Sequence, residues 1–162
     1  MSAMNGFVSY SHDDYGSFQV FQTHLRSIER AFSASFWADK RIHAGAHWNK
    51  TIQDAIDAAS VFILLLSPGF IASDYIYDHE IPAIGSKHLS AGALVLPVVL
   101  KRCSWQMVAS ALQAIPSHDG RTKPIVDWVP HNHGYDRARE QIANAINMHF
   151  GLAPTSVDWT KP

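Results

Sequence analysis

A chain of 162 residues with 47% hydrophobic and 17% charged side chains has the makeup of one globular domain and excludes a disordered or fibrous protein. With 13 basic and 14 acidic side chains it is close to neutral, which argues against a strong electrostatic grip on nucleic acid. A single cysteine, Cys103, excludes an intrachain disulfide, and no run of about 18 apolar residues is there to span a membrane. The N-terminus lacks the basic start and apolar core of a signal peptide, so the expected compartment is the cytoplasm.

Residues 6–10 are short, apolar and aromatic, and read as a first strand. Phe18, Phe21, Leu25, Ile28 and Phe32 then recur at three- and four-residue spacing, one face of an amphipathic helix. Residues 35–38 form a short second strand, and residues 43–46 a loop. Trp48, Ile52, Ala55, Ile56 and Ala59 make another helical stripe. The run Val61-Phe62-Ile63-Leu64-Leu65-Leu66 has no polar alternation, as a parallel strand covered on both faces requires.

Residues 94–100 form a similar run, but Pro97 withholds one ladder donor, which moves that strand towards an edge. A short last strand is expected over 123–126. His131-Asn132-His133-Gly134 reads as a surface loop, and Tyr135, Ala138, Ile142 and Ile146 as a final helix. Residues 1–150 thus form one domain, and 151–162, with Pro154 and Pro162, a tail or linker to a further domain. Strands and helices alternate about five times, which predicts an open α/β sheet of parallel strands.

No G-x-G-x-x-G follows the first strand, and no P-loop motif occurs anywhere. A nucleotide would have to be held through side chains, as a substrate rather than a resident cofactor. In an open parallel sheet, ligands bind beyond the carboxyl ends of the strands. Three segments follow strands in that sense: Tyr10-Ser11-His12, residues 39–48, and residues 67–80.

These segments carry a resemblance. Phe7-Val8-Ser9-Tyr10-Ser11 resembles the first-strand box of TIR (Toll/interleukin-1 receptor) domains. Residues 39–45, ending Ala44-Gly45, resemble their long loop after the second strand, and residues 61–69 their third strand with its Ser-Pro. The resemblance implies a flavodoxin-like sheet of five parallel strands in the order 2-1-3-4-5, with helices on both faces.

In NAD-cleaving members of that family the resemblance implies scission between nicotinamide and ribose. Glu80 matches the catalytic glutamate. A fixed carboxylate stabilises the developing ribosyl cation, and neutral nicotinamide leaves without a strong general acid. Ser11 and His12 match nucleotide-contacting positions, beside Tyr10. Asp39 and His43 fall on the pocket-lining loop, and Trp48 where an aromatic ring stacks on substrate. Many members carry a tryptophan four residues before the glutamate; here that position is Ile76, and Tyr75 or Tyr77 takes its role. Pro82 implies that the helix either begins near Tyr77 or Asp78 or kinks there. In the first case Glu80 lies in the first turn, and the helix dipole favours its anion by about 0.3–1 kcal/mol.

The implied function is NAD+ cleavage to nicotinamide and ADP-ribose or a cyclic form of it, in antiviral defence, switched on by head-to-tail assembly of TIR domains and coupled to a fused or associated sensor domain. The competing reading is a non-catalytic adaptor that acts only through TIR–TIR contacts. A phospho-receiver fits poorly, because its third strand should end in aspartate and this one ends in Ser67-Pro68. The spacings His131-x-His133 and His43-x3-His47 lack cysteine partners, so no metal site is expected.

Overall fold

The computed structural model describes residues 4–39 and 50–161. Strand β1 (Met4–Ser9) leads through a short 3-10 turn, His12–Asp14, into helix α1 (Tyr15–Phe32). Strand β2 (Ala34–Ala38) and helix α2 (Lys50–Ala58) follow, then β3 (Val61–Leu66) and the short α3 (Pro68–Ala72). A π-helical turn, Ile76–Glu80, runs directly into α4 (Ile81–Ala91), followed by β4 (Leu94–Val99) and α5 (Gln106–Ala109). A two-residue hairpin, β5 (Ser117–His118) with β6 (Arg121–Thr122), precedes α6 (His131–Phe150).

Four parallel strands form the main sheet in the order β2-β1-β3-β4. Alternate side chains of the uninterrupted apolar strand β3 serve two cores, because successive residues of a strand face opposite ways. Val61, Ile63 and Leu65 pack with Phe21 of α1 and Ile142 of α6. Phe62, Leu64 and Leu66 pack with Ile56 of α2 and Ile84 of α4. Burial on both faces is why this strand shows no polar alternation.

The expected fifth strand at 123–126 does not form. Pro124 has no N–H to give to a ladder, and residues Ile125–Asp127 coil into a 3-10 turn instead. Among the described residues, the outer edge of β4 is met by Ile115: its N–H donates to the Pro97 carbonyl at 2.9 Å, and its carbonyl accepts from Val99 N–H at 2.7 Å. Pro97 therefore sits on the outermost of the four strands. The histidine-rich segment expected as a loop is the first turn of α6. Gly134 is there for close approach, since a Cβ at that position would lie 2.7 Å from the Ile125 carbonyl oxygen.

The helix carrying Glu80 also differs from expectation. Residues 74 and 75 are already helical, and the Ser73 hydroxyl accepts from Ile76 N–H, as an N-cap does. Helical structure therefore runs over 74–91, and Pro82 lies well inside it. The chain accommodates the proline by widening one turn: Ile81 N–H donates to the carbonyl of Ile76, five residues back. Glu80 is thus in the second turn rather than the first, too deep for the N-terminal dipole to govern its charge.

Candidate functional site

The carboxyl ends of the strands open onto a cleft of about 670 Å³. Segments following β1, β2 and β3 line it together. Tyr10, Ser11 and His12 come from the first, Asp39 from the second, and Gly69, Ser73, Tyr75 and Glu80 from the third. Six side chains named from sequence fall on described residues. Five of these, Tyr10, Ser11, His12, Asp39 and Glu80, meet in this cleft. The sixth, Tyr77, is 38% exposed and lies off its wall. His43 and Trp48 lie outside the described residues.

Tyr75 occupies the wall where an aromatic was expected. The reason is the π turn. Five residues of α-helix separate two side chains by about 140°. The wider turn between Tyr75 and Glu80 reduces that angle and sets both on the cleft side. Sequence reasoning named Tyr77 among the substrate-binding residues, with Tyr75 as the alternative for the missing tryptophan, and Pro82 two residues beyond Glu80 was the signal that separates them.

Glu80 is only 7% exposed, at the inner end of the cleft. No Lys, Arg or His pairs with it among the described residues. Removal from water pushes its carboxyl up to about 7; the Ser9 hydroxyl opposes the rise and the Asp39 carboxylate adds to it. A carboxylate buried without a cation costs stability, and residues in that condition cluster at functional sites.

The walls are held by identifiable contacts. The Tyr10 hydroxyl donates to the Asp39 carbonyl at 2.7 Å, joining the ends of β1 and β2. Its ring stacks on Phe18, centroids 4.1 Å apart, and burial raises its hydroxyl pKa above the ordinary value. Tyr10 is therefore a neutral strut. Ser11 Oγ accepts from Asp13 N–H at 3.3 Å and closes the turn after β1. A Cβ at position 69 would stand 2.9 Å from Ser11 Oγ, so glycine lets the α3 start close against that turn.

Behind this wall the Ser67 hydroxyl donates to the buried Asp14 carboxylate and accepts from Phe70 N–H at 3.0 Å, capping α3. Cys103 plays no part in the cleft: it packs against the core that contains Phe62 and Ile84, and burial pushes its thiol up.

A parallel sheet with helices on both faces and a carboxylate-bearing cleft at the strand ends defines an open α/β domain with its cleft at the carboxyl ends of the strands. The TIR domain family profile matches residues 7–143, and the chain belongs to that family. It is also similar to "Uncharacterized protein y4lF" of Sinorhizobium fredii (strain NBRC 101917 / NGR234), with 37% identity over 146 residues. That match covers 90% of this chain and 43% of the relative, so the chain spans less than half of the relative's length. Among the described residues, no helix is long and apolar enough to cross a membrane.

Proposed function

We propose that this TIR domain cleaves NAD+ between nicotinamide and ribose, with Glu80 as the catalytic carboxylate. The observation that carries the reading is a glutamate 7% exposed at the inner end of the cleft, with no cationic partner among the described residues. Such a group has been desolvated at a cost that packing alone does not explain.

The ribosyl C1′–nitrogen bond breaks with its electron pair leaving on neutral nicotinamide. Ionised Glu80 stabilises the cationic ribose in a site of low dielectric, where one charge counts for more than in water. Water then adds at C1′ and loses a proton, giving ADP-ribose; capture by the adenine ring of the same molecule gives a cyclic product instead. Tyr75 offers an aromatic face for the nicotinamide or adenine ring. Ser11 and His12 contact the nucleotide at the mouth, and NAD+ is the substrate, with no resident cofactor.

Activity rises when TIR domains assemble head to tail, in an antiviral-defence role coupled to a sensor domain. Incubation of the purified chain with NAD+ and chromatography of released nicotinamide tests the chemistry. Release lost in Glu80→Gln supports it. No release from the wild type at any protein concentration leaves the adaptor reading in its place. A rate strictly proportional to protein concentration would count against assembly.

A further inference from the structure

Strand β1 is covered on both faces, so its buried positions call for apolar side chains. Phe7 packs in the core that holds Ile76 and Ile84, and Val8 in the core on the other face. Alternation puts Ser9 on the face of Phe7, towards the helical segment that carries Glu80. Its register partner on β3, Leu64, belongs to the same core as Phe7. Ser9 is 1% exposed, and a hydroxyl buried in such a place costs stability unless it is bonded.

Five polar side chains are buried among the described residues: Ser9, Ser11, Asp14, Ser67 and Glu80. Three of them have partners in the frame of the site. Ser11 accepts from Asp13 N–H, and Asp14 is held by Ser67 and Lys101. The remaining two are Ser9 and Glu80, and the Ser9 hydroxyl has no other partner among the described residues.

We infer that Ser9 is the positioning residue for Glu80: its hydroxyl donates to the carboxylate and holds it at the inner end of the cleft. The inference rests on the proposed reaction, and it deepens that reading by naming the group that readies its carboxylate. Ser9 does not line the cleft, so it acts through Glu80 and not on the substrate. A donated O–H favours the charged form of a carboxylate. Burial raises the Glu80 carboxyl to about 7, the Ser9 hydroxyl opposes the rise, and Asp39 at the end of β2 adds to it. The other titratable groups around the cleft are Tyr10, His12 and Asp13 from the β1 side and Asp74 beside Tyr75, with Asp78 and His79 exposed on the turn of Glu80 itself. No lysine or arginine lines the cleft among the described residues, so this hydroxyl stands where a cation is missing.

Two measurements on the full chain test this. Carbon-13 NMR of carboxyl-labelled glutamate follows the Glu80 titration without turnover, with Glu80→Gln identifying its signal. Nicotinamide release from NAD+ as a function of pH follows the same group in the reaction. In Ser9→Ala both midpoints should move up by about one pH unit. Release should then fall by about fivefold at pH about 7, yet stay within about twofold of the wild type at pH about 9. Ser9→Thr, which keeps the hydroxyl, should restore the wild-type midpoint. Ser9→Cys, of similar size with a weaker donor, gives a smaller shift of the same sign and serves where the alanine variant does not fold.

A Glu80 midpoint unmoved in Ser9→Ala and Ser9→Cys, or activity lost equally at every pH, overturns the inference and leaves Ser9 a packing residue. The two readings fail separately. A shifted Glu80 titration with no NAD+ cleavage by the wild type sinks the proposed reaction alone. NAD+ cleavage that depends on Glu80, with a titration indifferent to Ser9, sinks this inference alone.

Discussion

Lys101 reaches from the end of β4 to the buried Asp14 carboxylate, 2.7 Å away, and Asp14 in turn accepts from Ser67 at the end of β3. The pair therefore ties together the loops after β1, β3 and β4 behind the cleft wall. Asp14 has 3% of its side chain exposed and Lys101 41%.

Removing the cation leaves a buried carboxylate with only a hydroxyl for company. Lys101→Met should destabilise the fold by about 1–3 kcal/mol, the lower part of that range reflecting solvent access to the lysine. Asp14→Asn added to Lys101→Met should recover part of the loss, because the stranded charge is then gone. Denaturant unfolding of the two variants measures both; an additive further loss in the double variant would contradict the network.

Tyr75 and Tyr77 separate cleanly as tests of the aromatic wall. Tyr75→Ala should raise KM for NAD+ by about threefold to tenfold, the range expected for one lost ring contact. Tyr77→Ala should leave KM within about twofold, because that ring is not on the wall. Steady-state kinetics with both variants decides, and a reversed order would move the aromatic contact to the other tyrosine.

Glu80 must be ionised to stabilise a ribosyl cation, and its carboxyl titrates near 7. Nicotinamide release by the wild type should therefore rise with pH through about 7 and level off above it. Glu80→Gln should lose about 100-fold or more above pH about 7, with the gap narrowing as falling pH protonates the wild-type carboxylate. A pH–rate profile that stays flat between about 5 and 8 would remove Glu80 from the chemistry.

The same ionisation opposes folding. The native carboxyl, at about 7, binds a proton more tightly than the ordinary carboxyl at 4.5. Native protein thus holds more protons than unfolded chain between those values, and stability falls as pH rises across that window. Below about 4.5 the loss is absent, and above about 7 it is complete. Glu80→Gln abolishes that decline, so the variant should be more stable than the wild type at pH about 8 by roughly 3 kcal/mol. Near pH 4 the two should be close. Thermal melts at both values check the sign.

Much of this arrangement was legible in the residues. The unbroken apolar run of β3 and the three-and-four spacing of α1 each follow from one burial pattern, and the structure forms both. The meeting of Tyr10, Asp39 and Glu80 follows from parallel strand topology. What was not legible depended on partners distant in sequence. Gly134 looked like a loop marker because its neighbour, the Ile125 carbonyl, is nine positions away in the chain. The missing fifth strand turned on Pro124 and on Ile115 taking the free edge of β4.

The π turn also settles a matter of phase. In a regular α-helix, positions 76 and 84 are eight residues apart and point about 80° away from each other. One extra residue within the turn brings them to within about 20°. Ile76 and Ile84 are both 3% exposed and belong to the same core. The segment before Pro82 and the segment after it can thus both face the sheet, while Glu80, at the junction, is spared from following the pitch of either.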